Sequence, residues 1–321
     1  MSSTHPVFKP GNIAVITGAA SGIGLALSRK CMKDYRMTVI MVDINATNLE
    51  AAKLSMTKDT IADDDQNSPT PCSAELKNEK SLIQTVAMDV AKIEDYEALK
   101  ILIQNQFEGK ISLLVLNAGI ANKSNWTDTA YFRKVMDVNL FGVIYGLNTL
   151  LPLVTNNSTK ENPTAIVVTG SKQGITNPPG NPAYNTSKAA IKVLTEHLAF
   201  DLTKLSPTTS THLLVPGWTY TGITGNSVFS GQERAEKPHG AWWPEQVVEY
   251  LEKKMSEDKF YIICPDNNVT EALDQARMQW GANDLILGRP PLTRWKEDWK
   301  NESEPWINDK VAEISSKIQT K

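Results

Sequence analysis

Short apolar runs alternate along the chain with longer segments whose apolar residues recur every three to four positions. The runs at 12–17 (NIAVIT), 37–42 (MTVIMV), 85–88, 111–116 (ISLLVL), 165–169 (AIVVT), 212–215 (HLLV) and 260–264 (FYIIC) read as seven strands. Several are apolar at nearly every position, the pattern of strands covered on both faces of a parallel sheet. Between them, residues 23–33, 46–56, 96–106, 129–151, 183–205 and 244–257 carry helical spacing. Such alternation predicts an α/β fold: a doubly wound, seven-stranded parallel sheet with helices on both faces and right-handed crossovers.

Two regions interrupt the alternation. Residues 58–80 are polar, with Pro69, Pro71 and the run Asp63-Asp64-Asp65, and read as a partly mobile surface insertion. Residues 267–321 exceed what the sheet needs and hold Trp280, Trp295, Trp299 and Trp306, half of the eight tryptophans. Ala272, Leu273, Ala276 and Trp280 have helical spacing before Pro290-Pro291 stops the run. This tail is expected to pack on the body or to border a substrate cleft. The expected organisation is one catalytic domain over 1–266 with an extension over 267–321 packed on it.

Composition narrows the function classes. At 41% hydrophobic and 21% charged, the 321-residue chain can bury a sizeable core, which excludes a disordered, collagen-like or disulfide-built protein. Lys and Arg number 33 against 36 Asp and Glu, so neither nucleic acid nor an anionic membrane is an expected partner. Cys31, Cys72 and Cys264 lie far apart, the four histidines are scattered, and no metal is expected. No charged start leads into an apolar run, and the most apolar stretch, 140–154, is broken by Gly142, Gly146, Asn148 and Pro152. A soluble cytoplasmic protein is the expectation.

The first strand runs into Thr17-Gly18-Ala19-Ala20-Ser21-Gly22-Ile23-Gly24 and then a helix. Glycines in such a turn let the backbone approach a pyrophosphate seated on the helix N-terminus, although glycine also serves ordinary loops. Asp43 follows Gly24 by 19 residues, close to the spacing of a carboxylate that hydrogen-bonds the adenosine ribose; helix capping is its other use. Asn117-Ala118-Gly119 ends the fourth strand, Ser171 follows the fifth, and Tyr184 and Lys188 stand four apart on one helix face.

In this order the residues resemble the short-chain dehydrogenase/reductase superfamily, in its ordinary branch. The resemblance spans 11–266 outside the insertion. It rests on T-G-x-x-x-G-x-G, N-A-G, Asn139 in Asp137-Val138-Asn139, the thirteen residues from Ser171 to Tyr184, and Y-x-x-x-K. It implies a Rossmann-type fold and a catalytic set of Asn139, Ser171, Tyr184 and Lys188. Tyr184 would be the acid/base, its phenolate favoured by the neighbouring ammonium and by the positive oxidised nicotinamide. Lys188 would hydrogen-bond the nicotinamide ribose, and Ser171 would orient the substrate oxygen. Asn139 would hold a water linking Lys188 to solvent, while an asparagine inside a helix also serves by bonding backbone.

The resemblance further implies cofactor contacts by Gly18, Ser21, Gly22, Ile23, Gly24, Asp43, Asp89, Val90, Asn117, Ala118, Gly119, Tyr184 and Lys188. The P-G step adds Pro216, Gly217, Thr219 and Thr221. Thr219 stands where the family more often has Val or Ile, which keeps a backbone contact but puts a side-chain role in doubt. Asp43 would repel a 2′-phosphate, and Ser21 stands where phosphate-binding relatives often carry a base, so NAD is the implied cofactor.

The implied reaction interconverts a secondary alcohol and a ketone. Residues 117–152 loosely resemble hydroxyprostaglandin dehydrogenase-type and related microbial members, which defines no substrate. Trp126, Ile175, Trp218 and Tyr220 could equally wall a substrate pocket or pack. An NADP-linked carbonyl reductase and a cofactor-sensing regulator on the same fold are the alternatives, and the filled catalytic positions speak against the regulator. The expected partner is a small-molecule alcohol or ketone. A tail covering a subunit surface would favour a homodimer or monomer over a tetramer.

Overall fold

The computed structural model describes residues 4–67, 82–224 and 236–319. The seven predicted strands form as β1 (Ile13–Thr17), β2 (Thr38–Asp43), β3 (Ile83–Ala87), β4 (Leu113–Leu116), β5 (Thr164–Thr169), β6 (Thr209–Val215) and β7 (Tyr261–Ile263). They make one sheet in the order β3-β2-β1-β4-β5-β6-β7, every pair parallel. In chain order the helices are α1 (Gly22–Lys33), α2 (Ala46–Asn67), α3 (Ile93–Gln106), α4 (Thr129–Met136), α5 (Gly142–Thr155), α6 (Pro182–Leu205), α7 (Pro244–Ser256), α8 (Glu271–Ile286) and α9 (Lys300–Gln319).

The two-residue period of the strands builds two cores. Ala14 and Ile16 enter one with Val39 and Met41, whereas Val15 enters the other with Ile40 and Leu114. Leu27 of α1, Met56 of α2 and Leu251 of α7 close the first core; Leu99 of α3, Leu150 of α5 and Ile191 of α6 close the second. A π-helical turn at Asp137–Phe141 joins α4 and α5 into a continuous rod. By length and composition alone this Thr129–Thr155 rod could cross a membrane, but here Val143, Leu150 and Val154 pack into the second core. β1 pairs with both β2 and β4, so the chain order reverses there and leaves a crevice at the carboxyl ends of the strands.

Two elements depart from the sequence reading. Helix α2 runs on to Asn67 and takes in residues 58–67, which were expected to belong to the insertion. No Gly or Pro interrupts it, so the helix continues after its apolar stripe ends. The remaining insertion residues, 68–80, lie outside the described residues. Helix α9 is the second departure; its apolar residues Trp306, Ile307, Val311 and Ile314 answer to α8 rather than to the sheet.

The tail has a small core of its own. Trp280, Ala276 and Ile307 are buried there, with Leu273, Trp299 and Trp306 around them. It meets the body at named contacts. Lys172 Nζ lies 2.6 Å from Asp274 Oδ2, Trp295 Nε1 donates to the Thr176 carbonyl at 3.2 Å, and Tyr250 donates to Glu271.

Candidate active site

The crevice opens into a cavity of about 1170 Å³. Gly18, Ser21, Gly22, Ile23, Asp43, Asp89 and Val90 line its β2–β3 side; Ser171, Tyr184, Lys188, Pro216 and Gly217 line its β5–β6 side. Asn117, Ala118 and Gly119 form the floor between them. Gly18 has φ +67°, and a Cβ there would meet the Ala118 Cα at 3.0 Å. Gly24 lies beneath the turn rather than on the cavity lining. A Cβ on it would come 2.2 Å from the Gly18 carbonyl oxygen, so only glycine lets α1 begin this close to β1.

Ser21 makes no side-chain cap, so the leading N–H groups of α1 have no side-chain acceptor at the end where an anion is favoured. Asp43 braces this turn from β2: Oδ2 accepts from Ala20 N and Oδ1 from Asn45 N, both at 3.1 Å. Asp89 caps its own turn, accepting from Ala91 N at 3.0 Å.

Thr17, quoted in the glycine turn without a role of its own, and Thr169, which the sequence reading passed over, pin the strand ends. Thr17 Oγ1 accepts from Asn117 N at 2.9 Å and Ala118 N at 3.0 Å. Asn117 donates through Nδ2 to the Thr17 carbonyl and accepts from Thr169 Oγ1, both at 3.1 Å. A threonine as the last residue of a buried strand was the available signal. Asn181 was missed as well. It caps α6 by accepting from Tyr184 N at 3.3 Å, accepts from Ser124 Oγ at 2.7 Å and donates to the Asn122 carbonyl at 2.8 Å. Asn before Pro at a helix start was its signature.

Tyr184 and Lys188 are buried side by side on α6, with the Lys188 ammonium 5.8 Å from the Tyr184 ring centroid. Lys188 Nζ donates to the Thr169 carbonyl at 2.8 Å. Burial raises the Tyr184 phenol above its ordinary value, against a hydrogen bond with Ser171 that pulls it down. Burial also lowers Lys188 from 10.5 to about 8. The expected depression of the phenol by its lysine is therefore not produced by the protein's own groups. The ammonium is turned toward Thr169, and desolvation outweighs the Ser171 hydrogen bond.

Asn139 is fully buried behind the cavity wall. From the π-turn its Oδ1 accepts from Ile120 N at 2.8 Å, while Nδ2 donates to the Ile120 carbonyl at 3.0 Å and to Ser187 Oγ at 3.1 Å. Its side chain thus clasps the backbone just beyond Gly119, the second of the two uses open to it.

Thr219 and Thr221 line the cavity, and Thr219 Oγ1 is turned to the Gly217 carbonyl at 3.3 Å. Of the four aromatic or aliphatic wall candidates, only Trp218 lines this cavity. Trp126 is 82% exposed and stacks on Phe132, Ile175 packs against the second core, and Tyr220 is buried edge-on to Trp243. Ile175 and Tyr220 are engaged in packing that spacing along the chain does not reveal.

Lys172, next to Ser171, also lines the cavity, and its ammonium is held by Asp274 at 2.6 Å and Asp266 at 3.7 Å. Burial outweighs Lys172 and leaves the Asp274 carboxyl above its usual range. The glycine cradle, the uncapped start of α1, the β2 carboxylate and the buried lysine together fit a nicotinamide dinucleotide.

Comparisons with known proteins agree with this geometry. The family model described as short chain dehydrogenase matches residues 57–229, more than half of the chain. An uncharacterized oxidoreductase of Staphylococcus saprophyticus is 25% identical over 226 residues, 70% of this chain and 85% of that protein. 11-beta-hydroxysteroid dehydrogenase A of Sesamum indicum is 28% identical over 227 residues, 70% of this chain but 57% of that longer protein. Among solved structures, a short-chain dehydrogenase/reductase from Burkholderia phymatum in complex with NAD superposes with TM-score 0.68 at 25% identity, covering 88% of this chain and 97% of that one. An alcohol dehydrogenase from the archaeon Thermococcus sibiricus, complexed with 5-hydroxy-NADP, shares the fold with TM-score 0.59 at 21% identity, over 76% and 90% of the two chains.

Proposed function

The chain belongs to the short-chain dehydrogenase/reductase family of oxidoreductases, and on that premise we propose that it interconverts a secondary alcohol and a ketone with NAD(H), Tyr184 handling the proton. The observation that carries this reading is one cavity with Ser171, Tyr184 and Lys188 on one wall and Asp43 with the start of α1 on the other. A dinucleotide held there by the glycine turn, Asp43 and Lys188 would supply or accept the hydride. Ser171, hydrogen-bonded with Tyr184, orients the substrate oxygen beside the phenol. In the reductive direction Tyr184 gives its proton to that oxygen, and burial keeps the proton in place until then. In the oxidative direction the phenol must lose its proton, and Lys188, titrating at about 8, is the adjacent group able to pass it on.

NAD is favoured over NADP by charge. The lining residues at the turn and after β2, Gly18, Ser21, Gly22, Ile23, Asp43 and Ile44, offer no basic side chain to a 2′-phosphate, and Asp43 would repel one. Cytoplasmic residence and the division into a 1–266 catalytic unit and a 267–321 extension belong to the same proposal. Cys31 and Cys264 are free thiols buried in the first core, which suits a reducing compartment.

The test is a panel of secondary alcohols and ketones assayed with NAD(H) and NADP(H) by nicotinamide absorbance. Turnover with a preference for NAD(H) supports the reading. Tight NADH binding without turnover of any aliphatic, cyclic or steroid pair would replace it with a cofactor-sensing role.

A further inference from the structure

A second cavity, of about 470 Å³, lies between the helical turn Gln173–Thr176 and the tail, and it shares no lining residue with the first. Its charged lining is Arg277, Arg289, Arg294 and one carboxylate, Asp284. That carboxylate is already engaged, Oδ2 accepting from Thr293 N at 3.0 Å and Oδ1 from the Thr293 hydroxyl. Among the described residues, none of the three guanidiniums has a carboxylate within ion-pair distance. Asp274, close enough to feel the Arg277 charge, is held by Lys172 instead.

Arg289 lies over the Trp280 ring at 4.3 Å and near Trp299 at 5.6 Å, and its Nη1 is buried without a hydrogen-bond partner. Burial, with the Arg277 charge second, lowers Arg294 to about 10. Three like charges converging on a half-buried cavity are unfavourable until an anion joins them, and guanidiniums match planar or tetrahedral oxyanions in paired hydrogen bonds. The rim is of opposite character. Leu285 is 89% exposed, and Leu292 and Trp295 beside it are also exposed.

We propose that this cavity binds an anionic amphiphile, a carboxylate or phosphate on a single apolar chain, its head on Arg277, Arg289 and Arg294 and its chain across Leu285, Leu292 and Trp295. The cavity has the size of a small-molecule site, and its lining carries a surplus of positive charge. Three half-buried arginines lining a cavity fall short of the cluster of about four to eight exposed basic residues that holds a protein on an anionic bilayer, so the ligand is a free molecule rather than a membrane lipid. An inorganic anion would satisfy the arginines and leave the rim wet; a neutral alcohol would do the reverse.

The experiment is calorimetric titration of the full-length protein with decyl phosphate below its micellar concentration, with inorganic phosphate, and with decanol. Decyl phosphate is expected to bind once per chain, at least tenfold more tightly than either control, and equally well in saturating NADH. The double variant Arg277→Gln/Arg294→Gln should lose at least tenfold in affinity, with Arg289 left in place because it packs on Trp280 and Trp299. Leu285→Asp, at an exposed position, sets a negative charge on the rim and should also lose at least tenfold even if the double variant folds poorly. Unchanged affinity in Leu285→Asp, competition by NADH, or binding to phosphatidic acid vesicles without binding of decyl phosphate would each overturn the proposal. None of these readouts depends on dehydrogenase activity.

Discussion

Lys188 gives its ammonium to the Thr169 carbonyl oxygen, 2.8 Å away, rather than to the phenol of Tyr184 on the same face of α6. The helix is thereby fastened to the end of β5, two residues before Ser171. One buried bond ties together the β5–β6 wall of the cavity.

That burial has a pH signature. Lys188 titrates at about 8 in the fold against 10.5 when free, so between those values the unfolded chain binds the extra proton and stability rises with pH. The penalty is fully present below about 8 and gone above 10.5. In Lys188→Met it is absent throughout. Relative to that variant, the wild type should gain about 2–3 kcal/mol between pH 7.5 and 10.5, measured by urea unfolding. A constant difference across that range would show that Lys188 is not desolvated.

Replacing the phenol tests the chemistry. Tyr184→Phe keeps the packing of a ring that is 8% exposed and removes the hydroxyl to which the proposed reaction assigns the substrate proton. Turnover should fall by about a hundredfold to ten-thousandfold while NADH affinity, read by fluorescence titration, stays within a few-fold. Near-wild-type turnover would remove Tyr184 from the mechanism.

Asp43 has two tasks that can be separated. Asp43→Ala should narrow the preference for NAD over NADP, because the repulsion of a 2′-phosphate disappears. It should also cost about 1–2 kcal/mol in stability, since Ala20 N and Asn45 N lose a charged acceptor. A wild type that uses NADP as well as NAD would contradict the first expectation, and an unchanged melting temperature the second.

The pair Lys172–Asp274 joins the tail to the loop that carries Ser171. Asp274→Asn leaves Lys172 buried with only Asp266, at 3.7 Å, as compensation, and should cost about 2–3 kcal/mol. Lys172→Met/Asp274→Leu should recover most of that loss, because a buried ion pair contributes little net stability over apolar packing. In Asp274→Asn the rate constant kcat should fall with little change in KM for NADH. A variant that melts with the wild type would show the pair to be dispensable.

What could be read from the sequence was what repeats locally. Strands such as LLVL in β4 are apolar throughout because both faces are covered, and their pattern survives without knowledge of neighbours. The glycine turn and the four-residue step from Tyr184 to Lys188 are equally local. Asn139 belongs to another kind of residue, since its partner Ile120 is brought to it only by the π-turn. Lys172 and Asp274 come together from separate elements and leave no trace in any short window. Of the wall candidates, Tyr220 lies off the cavity for the same reason: nothing near it in sequence says that Trp243 will cover it, whereas Trp218 does line the cavity.

The contacts of Lys172 with Asp274 and of Thr176 with Trp295 also set an order of events on the ribosome. At synthesis rates of about 5–20 residues per second, the loop after β5 emerges on the order of 5–20 s before its partners on the tail. During that interval the sheet can pair, but Lys172 has not yet met Asp274 and Thr176 lacks the bond from Trp295. The glycine turn, Asp43 and the floor at Asn117–Gly119 are thus all synthesised well before the loop after β5 gains its partners on the tail. The bracing of the Ser171 loop arrives only with residues 274–295, so a nascent chain that stops short of them carries that loop without Asp274 and Trp295 against it.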